Sequence, residues 1–190
     1  MNPRKLVGTL VVAAALALPA SGSAYYTYFI FTRQSNLASP LTMTWEQIPG
    51  HYSTASWRAG SGVSTDACWI GHGWLPTGWY DLHGHWDYYD SAAIKGRVFQ
   101  LQDKECWNGT WRTQLFVHTE ETASEGQYCP TPSNSPFCWE GDSDYYSAGS
   151  IKLSRAGNPS DIGLAHSGWH GKSGDYRHGY FTIAGWLYVQ

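Results

Sequence analysis

The chain has 190 residues, of which 42% are hydrophobic and 16% aromatic, and it carries a net charge of −3. This length is typical of one domain and is sufficient for a sizeable hydrophobic core. The few lysines and arginines are scattered, so no basic stripe indicates a nucleic-acid partner.

The first 24 residues have the pattern of an export signal. Residues 1–5 are basic, residues 6–20 are apolar, and Gly22-Ser23-Ala24 is a small-residue cleavage site. The apolar segment is shorter than the roughly 20 residues of a membrane span, and an uncleaved anchor is the alternative. Cleavage after Ala24 would leave residues 25–190, with a net charge of about −5 and no stable membrane span.

Strand-like segments dominate the rest of the chain. Residues 25–51 open with an aromatic run and are predicted to form an N-terminal arm or edge strand ahead of a domain over 52–190. Strands are predicted at 52–58, 96–102 and 113–118, and residues 181–189 are predicted to form a closing strand or a hairpin around Gly185. A short helix is predicted at 161–167, with Asn158 as its cap and Pro159 at its first position. We therefore expect a mainly β, compact single domain with long loops and few short helices.

All four cysteines follow the signal, and an even number in an exported chain indicates disulfides. We expect a bridge between Cys129 and Cys138, which would close a short proline-rich loop, and another between Cys68 and Cys106. A zinc site is the alternative, although the chain has no Cys-x-x-Cys pair.

Three short segments carry candidate chemistry. Leu75-Pro76-Thr77-Gly78 is predicted to be a turn. An apolar strand ends at His118, which is either a structural residue bonded to backbone or a general base. Ser147-Ala148-Gly149-Ser150 is a small-residue turn, which is either a plain surface turn or one that holds a nucleophile beside free N–H groups.

The order of these segments resembles the L,D-transpeptidase catalytic domain of bacterial cell-wall enzymes. That family has a Thr-Pro-Thr-Gly turn, a strand that ends in histidine, and then Ser-His-Gly-Cys followed by an apolar residue and arginine or asparagine. The resemblance covers about residues 52–165. It implies acyl transfer on peptidoglycan stem peptides through an acyl-enzyme, without a cofactor, in a secreted protein associated with the cell wall.

The resemblance also implies a set of site residues. Ser150 would be the nucleophile and His118 the base, with Thr119 orienting the histidine and the N–H groups of Gly149 and Ser150 holding the oxyanion. The predicted substrate-binding residues are Lys152, Ser147, Trp139 and Tyr146.

The main departure from the family is that Ser150 stands at the position of its nucleophilic cysteine. A serine hydroxyl is far less acidic than a thiol and needs a well-placed base. Three interpretations stay open: a weak serine acyltransferase, a non-catalytic binder of the same ligand, and an introduced Cys-to-Ser substitution.

Histidines form two further groups, with His72, His83 and His85 in the first and His166, His170 and His178 in the second. Each group is a candidate for metal binding, but no carboxylate partner is obvious from the sequence. We therefore predict no metal site.

Aromatic residues support an alternative function. The chain has 11 tryptophans, and those in loop-like settings, which are the best candidates to stack on sugars, are Trp74, Trp79, Trp86 and Trp139. The alternative is therefore a non-catalytic peptidoglycan- or carbohydrate-binding module, and a disulfide-rich interaction protein is a third possibility. The enzyme requires His118 beside Ser150 in a cleft, whereas the binding module requires a flat row of exposed rings with Ser150 elsewhere.

Overall fold

The computed structural model describes residues 27–35, 38–48, 50–131, 135–169 and 185–190. The predicted export signal, His170 and His178 lie outside these residues. No helix in the described ranges is long and apolar enough to cross a membrane. The elements are β1 Thr27–Phe31, β2 Ser39–Ile48, β3 His51–Gly60, β4 Gly78–Asp90, β5 Lys95–Leu101, β6 Lys104–Glu105, β7 Trp111–Arg112, β8 Phe116–His118, a 3₁₀ helix Asp142–Tyr145, β9 Ile151–Leu153, α1 Asp161–Trp169 and β10 Gly185–Val189.

Eight of the strands form a closed barrel in the order β1-β10-β4-β5-β8-β9-β3-β2. Two neighbouring pairs, β1–β10 and β8–β9, are parallel, and the other barrel neighbours are antiparallel. β6 and β7 form a separate two-stranded sheet. The expectation of a mainly β domain with few short helices is confirmed.

The structure differs from the predicted division of the chain at residue 51. β1 is hydrogen-bonded to β10 on one side and to β2 on the other, so it is neither an arm nor an edge strand. Phe29 and Phe31 point into the core, whereas Tyr28 and Ile30 are only partly buried. Because side chains alternate across a strand, the aromatic run of β1 serves both faces of the barrel wall.

Apolar side chains fill the barrel, as is usual for barrels of about eight strands. α1 completes this core, because Ile162, Ala165 and Trp169 are buried within it. The Trp169 ring stacks on Phe29, with ring centroids 5.3 Å apart and an interplanar angle of 9°. The predicted helix is confirmed and extends to Trp169. Its predicted cap is wrong: α1 begins at Asp161, and the Ser160 hydroxyl, rather than Asn158, accepts a hydrogen bond from the Gly163 N–H at 3.2 Å.

The predicted strands at 52–58 and 96–102 correspond to β3 and β5, and the strand at 113–118 is shortened to β8. Of the closing strand or hairpin predicted at 181–189, residues 185–189 form β10 and 181–184 lie outside the described residues. β2 was missed, and so was β4, the longest strand. A bulge between Leu82 and Gly84 breaks its two-residue alternation, and that alternation is the signal by which a strand is recognised.

Both expected disulfides are confirmed. Cys68 pairs with Cys106 and Cys129 pairs with Cys138, with Cα atoms 5.6 Å and 5.0 Å apart, and no free cysteine remains. The zinc alternative for the cysteines is therefore wrong, because every thiol is used in a bridge.

A buried arginine joins loops that are distant in sequence. The Arg112 guanidinium donates to the carbonyl of Ala67, and to the carbonyls of Gly73 and Ala148 at 3.3 Å each. Burial lowers the pKa of this guanidinium. Because buried carbonyls need donors, Arg112 holds the loop of the Cys68–Cys106 disulfide against the turn that leads into β9.

We expect Arg112→Met to lower the free energy of unfolding by about 3 kcal/mol, because several buried carbonyls would lose their donor. Chemical denaturation monitored by circular dichroism measures this loss. The matched control is Arg58→Met, since Arg58 forms a largely exposed ion pair with Asp142 at 2.9 Å. That change should cost about 1 kcal/mol or less. Equal losses in the two variants would contradict the role given to Arg112.

Candidate functional site

The structure places His118 and the Ser147–Ser150 turn on neighbouring strands. β8 runs parallel to β9, with Val117 opposite Ile151 and His118 opposite Lys152. Val117 and Ile151 point into the barrel core. His118 and Lys152 therefore point outward, yet both are buried.

The Ser150 hydroxyl, predicted to be the nucleophile, and the Gly149 N–H, predicted to bind the oxyanion, both take part in hydrogen bonds within the protein. The Ser150 hydroxyl accepts a hydrogen bond from the Phe116 backbone N–H at 3.2 Å. The Gly149 N–H donates to the Ser147 hydroxyl at 3.1 Å, and that hydroxyl donates to the Ser150 carbonyl at 2.5 Å. The Gly149 N–H is thus directed into the turn rather than toward a ligand.

His118 is held by its neighbours in a neutral state. Its Nδ1 lies 2.8 Å from the carbonyl oxygen of Thr119, so Nδ1 carries the proton and Thr119 orients the ring through its backbone. Burial and the nearby Lys152 ammonium lower the pKa of His118 to about 3. His118 is paired in register with Lys152, which follows Ser150 by two residues. In the described part of the chain, no hydrogen bond joins Ser150 and His118.

The predicted substrate-binding residues have other partners or positions. The Lys152 ammonium pairs with the Glu120 carboxylate, and both side chains are largely buried. The Trp139 ring packs edge-on against Tyr145 at 4.9 Å, whereas Tyr146 is exposed. Lys152 already has a carboxylate partner, which removes the charge predicted to meet substrate carboxylates.

A row of aromatic side chains occupies the outer surface of β1, β10 and β4. In register, Tyr28 lies beside Trp186, Trp186 beside Asp81, and Tyr188 beside Trp79. The Trp79 and Tyr188 rings have centroids 4.7 Å apart and are tilted by 34°. We call these five residues, with Tyr52 from β3, the aromatic face.

The aromatic face lines an open groove with a volume of about 610 Å³, bounded by Tyr28, Tyr52, Trp79, Asp81 and Trp186. Trp79 and Tyr52 are 59% and 56% exposed, so these rings are not needed for the core. Aromatic walls with a few polar groups are typical of ligand sites, and Asp81 supplies a carboxylate acceptor. None of the residues predicted from the transpeptidase resemblance lines this groove.

The sequence identified only part of this face. Trp79 was among the four tryptophans proposed to stack on sugars, but Trp186, Tyr188 and Tyr28 were not singled out. A usable signal was present in β10, where Trp186 and Tyr188 alternate with the buried Leu187 and Val189. Bulky aromatic residues on the outward positions of a strand are the pattern that identifies such a face.

The remaining candidate aromatics lie elsewhere. Trp74 lies beneath the Arg33 guanidinium, 5.6 Å from ring centroid to Cζ. The Trp86 ring lies 5.8 Å from that of Tyr89. Both side chains are only partly exposed, so they contribute less ligand-accessible ring surface than Trp79.

The structure regroups the histidines of the sequence. His72 packs against Trp69, with ring centroids 4.6 Å apart, whereas His85 lies next to His166 at 5.5 Å. His85, Asp87 and His166 form one set of residues that could hold a metal ion. A second set, Glu120, Glu140 and Asp144, is purely acidic, and in it Glu120 is already paired with Lys152.

Comparison of the chain with family models, with curated proteins and with solved structures found no match.

We expect acid to destabilise the fold through His118. In the unfolded chain its pKa is near 6.5, whereas in the folded protein it is about 3, so below pH 6.5 the unfolded state binds more protons. This contribution to stability is complete above pH 6.5 and is lost progressively as the pH falls toward 3. From pH 7 to 5, the parent should lose about 2 kcal/mol more than His118→Asn in denaturation experiments. Equal losses would refute the low pKa.

We expect Ser150→Cys to remain unmodified by a carbapenem-type β-lactam, the inhibitor class that the transpeptidase resemblance implies. The introduced thiol would be buried, and the His118 Nδ1 is already bonded to the Thr119 carbonyl. Intact-protein mass spectrometry of the folded variant measures the adduct. Alkylation of the thiol after denaturation is the control for its presence. An adduct of one inhibitor that disappears on adding His118→Ala would instead support acyl transfer, which stays a prediction from the sequence.

Proposed function

We propose that the chain is an exported saccharide-binding protein whose aromatic face binds glycan strands of the bacterial cell wall. The observation that carries the proposal is the groove of about 610 Å³ lined by Tyr28, Tyr52, Trp79, Asp81 and Trp186. Rings on the outer surface of the barrel wall, away from Ser150, support the binding module rather than the enzyme.

The chemistry of the groove suits a sugar chain. Tyrosine and tryptophan present an apolar ring face and a polar edge, which complements the C–H faces and hydroxyl groups of a pyranose. The Asp81 carboxylate, in register with Trp186, accepts hydrogen bonds from hydroxyl groups. A net charge of −3 for the whole chain disfavours a polyanionic ligand.

The shape of the barrel wall suits an extended ligand. Trp186 and Tyr188 lie on the same side of β10, with Trp79 beside Tyr188 and Tyr28 beside Trp186. Neighbouring strands are about 4.8 Å apart, so the rings form an array fixed on rigid backbone. A preformed surface of this kind binds with little loss of side-chain freedom.

Two further features support an extracellular site of action. The first 24 residues have the pattern of an export signal. The disulfides Cys68–Cys106 and Cys129–Cys138 belong to an oxidising compartment. Both agree with a ligand in the cell wall.

We expect Trp79→Ala to weaken binding to insoluble peptidoglycan about tenfold, because the loss of one stacked ring costs about 1.4 kcal/mol. Co-sedimentation with purified peptidoglycan, followed by titration with soluble glycan fragments, measures the affinity. Trp186→Ala should have a similar effect, since Trp186 lies in the same groove.

The matched control is Trp111→Ala, because Trp111 is 57% exposed, like Trp79 at 59%, but lies on the separate β6–β7 sheet. It should bind peptidoglycan as the parent does. Equal binding by the folded Trp79→Ala and Trp186→Ala variants, or no binding by the parent, would reject the proposal. Sedimentation velocity tests whether a second copy covers the face, because the Trp79→Ala variant would then change from dimer to monomer.

A further inference from the structure

Two histidines and an aspartate from distant parts of the chain meet where α1 packs on the barrel wall. His85 and Asp87 lie on β4, and His166 lies on α1. Their candidate ligand atoms, one from each residue, all lie within 4.8 Å of one another. His85 and His166 are 1% and 2% exposed, and Asp87 is partly exposed.

The irregularity of β4 creates this cluster. Leu82 points into the barrel, and strict alternation would turn His85 outward. The bulge between Leu82 and Gly84 shifts the register, so His85 pairs with Phe99 and points inward with it. Asp87 follows two residues later, within a second irregularity between Trp86 and Tyr89.

Two of the distances are close to those of a tetrahedral metal centre. The His166 Nδ1 lies 3.2 Å from the Asp87 Oδ1. Metal–ligand bonds of 2.0–2.1 Å at tetrahedral angles separate two ligand atoms by about 3.3 Å. The same bond lengths place the centres of two bound imidazole rings about 5 Å apart. The His85 and His166 ring centroids are 5.5 Å apart and the rings are perpendicular.

The charged side chains around Asp87 favour a bound cation. Arg97 pairs with Glu121 at 2.8 Å and with Glu125 at 3.6 Å, and Arg155 pairs with Glu121 at 3.1 Å. Asp87 interacts electrostatically with both Arg97 and Glu125. This group of five residues contains two arginines and three carboxylates, so its net charge is negative.

We propose that His85, Asp87 and His166 bind one divalent transition-metal ion and thereby fasten α1 to β4. Two imidazole nitrogens and one carboxylate are a ligand set that suits zinc, with one coordination position left for water. Neither the ligand set nor its position overlaps the aromatic face, so this proposal stands independently of saccharide binding.

The test uses the full exported chain, stripped with a chelator and then dialysed against zinc. Inductively coupled plasma mass spectrometry should find one zinc per chain, and zinc should raise the melting temperature of the stripped protein. Cobalt in place of zinc should give the intense visible bands of a tetrahedral centre. Asp87→Asn and His166→Gln should each weaken zinc binding at least about tenfold.

His83→Gln is the matched control, because His83 lies on the same strand two residues before His85 and outside the cluster. It should bind zinc as the parent does. Asp87→Asn keeps the size of the partly exposed side chain, so its folding, checked by circular dichroism, separates lost binding from lost structure. A folded parent that retains no zinc would overturn the proposal. Equal zinc affinity in the parent, Asp87→Asn and His166→Gln would also overturn it.

Discussion

The parallel pairing of β1 with β10 is the constraint on which the rest of the structure depends. It closes the barrel by joining the first and last described strands, with Tyr28 opposite Trp186 and Phe31 opposite Val189. Closure gives each barrel strand a partner on both sides, although β3 pairs with β9 only at Ala59 and Gly60, and it encloses the inward side chains in one core. The same pairing assembles the aromatic face, because its rings come from both ends of the chain.

The outer surface of the barrel is accessible at β1, β10 and β4 but covered by other parts of the chain at β8 and β9. On β1, β10 and β4 the outward rings stay accessible and form a groove. On β8 and β9 the outward residues are buried, because the chain after β8 folds back and brings Glu120 onto Lys152. That covering removes water from His118, which keeps its ring neutral at ordinary pH. The burial of His118 favours a structural role for it, whereas the accessibility of the aromatic face favours ligand binding there.

The sequence predicted β3, β5, β8 and β10 but missed β2 and β4, although Leu41 and Met43 of β2 alternate with Thr42 and Thr44. β3 and β5 follow from compact runs of strand-forming residues, and α1 was expected at the right place, although Ser160 rather than Asn158 caps it. β4 was missed because its bulges interrupt the alternation, and those bulges turn His85 toward His166. The transpeptidase resemblance depends on the order of short motifs along the chain, among them those that contain His118 and Ser150. It carried no information about which hydrogen-bond partners they take.

The sequence by itself determined the chemistry that was available: an export pattern, two disulfides, a β-rich core and an excess of aromatic residues. These features depend on composition and local spacing, which can be read directly from the sequence. Only the tertiary structure decided which residues meet. Tyr28 joins Trp186, and His85 joins His166, through pairings between segments that are far apart in the chain. Such contacts depend on barrel closure and strand register, and a shift of one residue would exchange the inward and outward side chains.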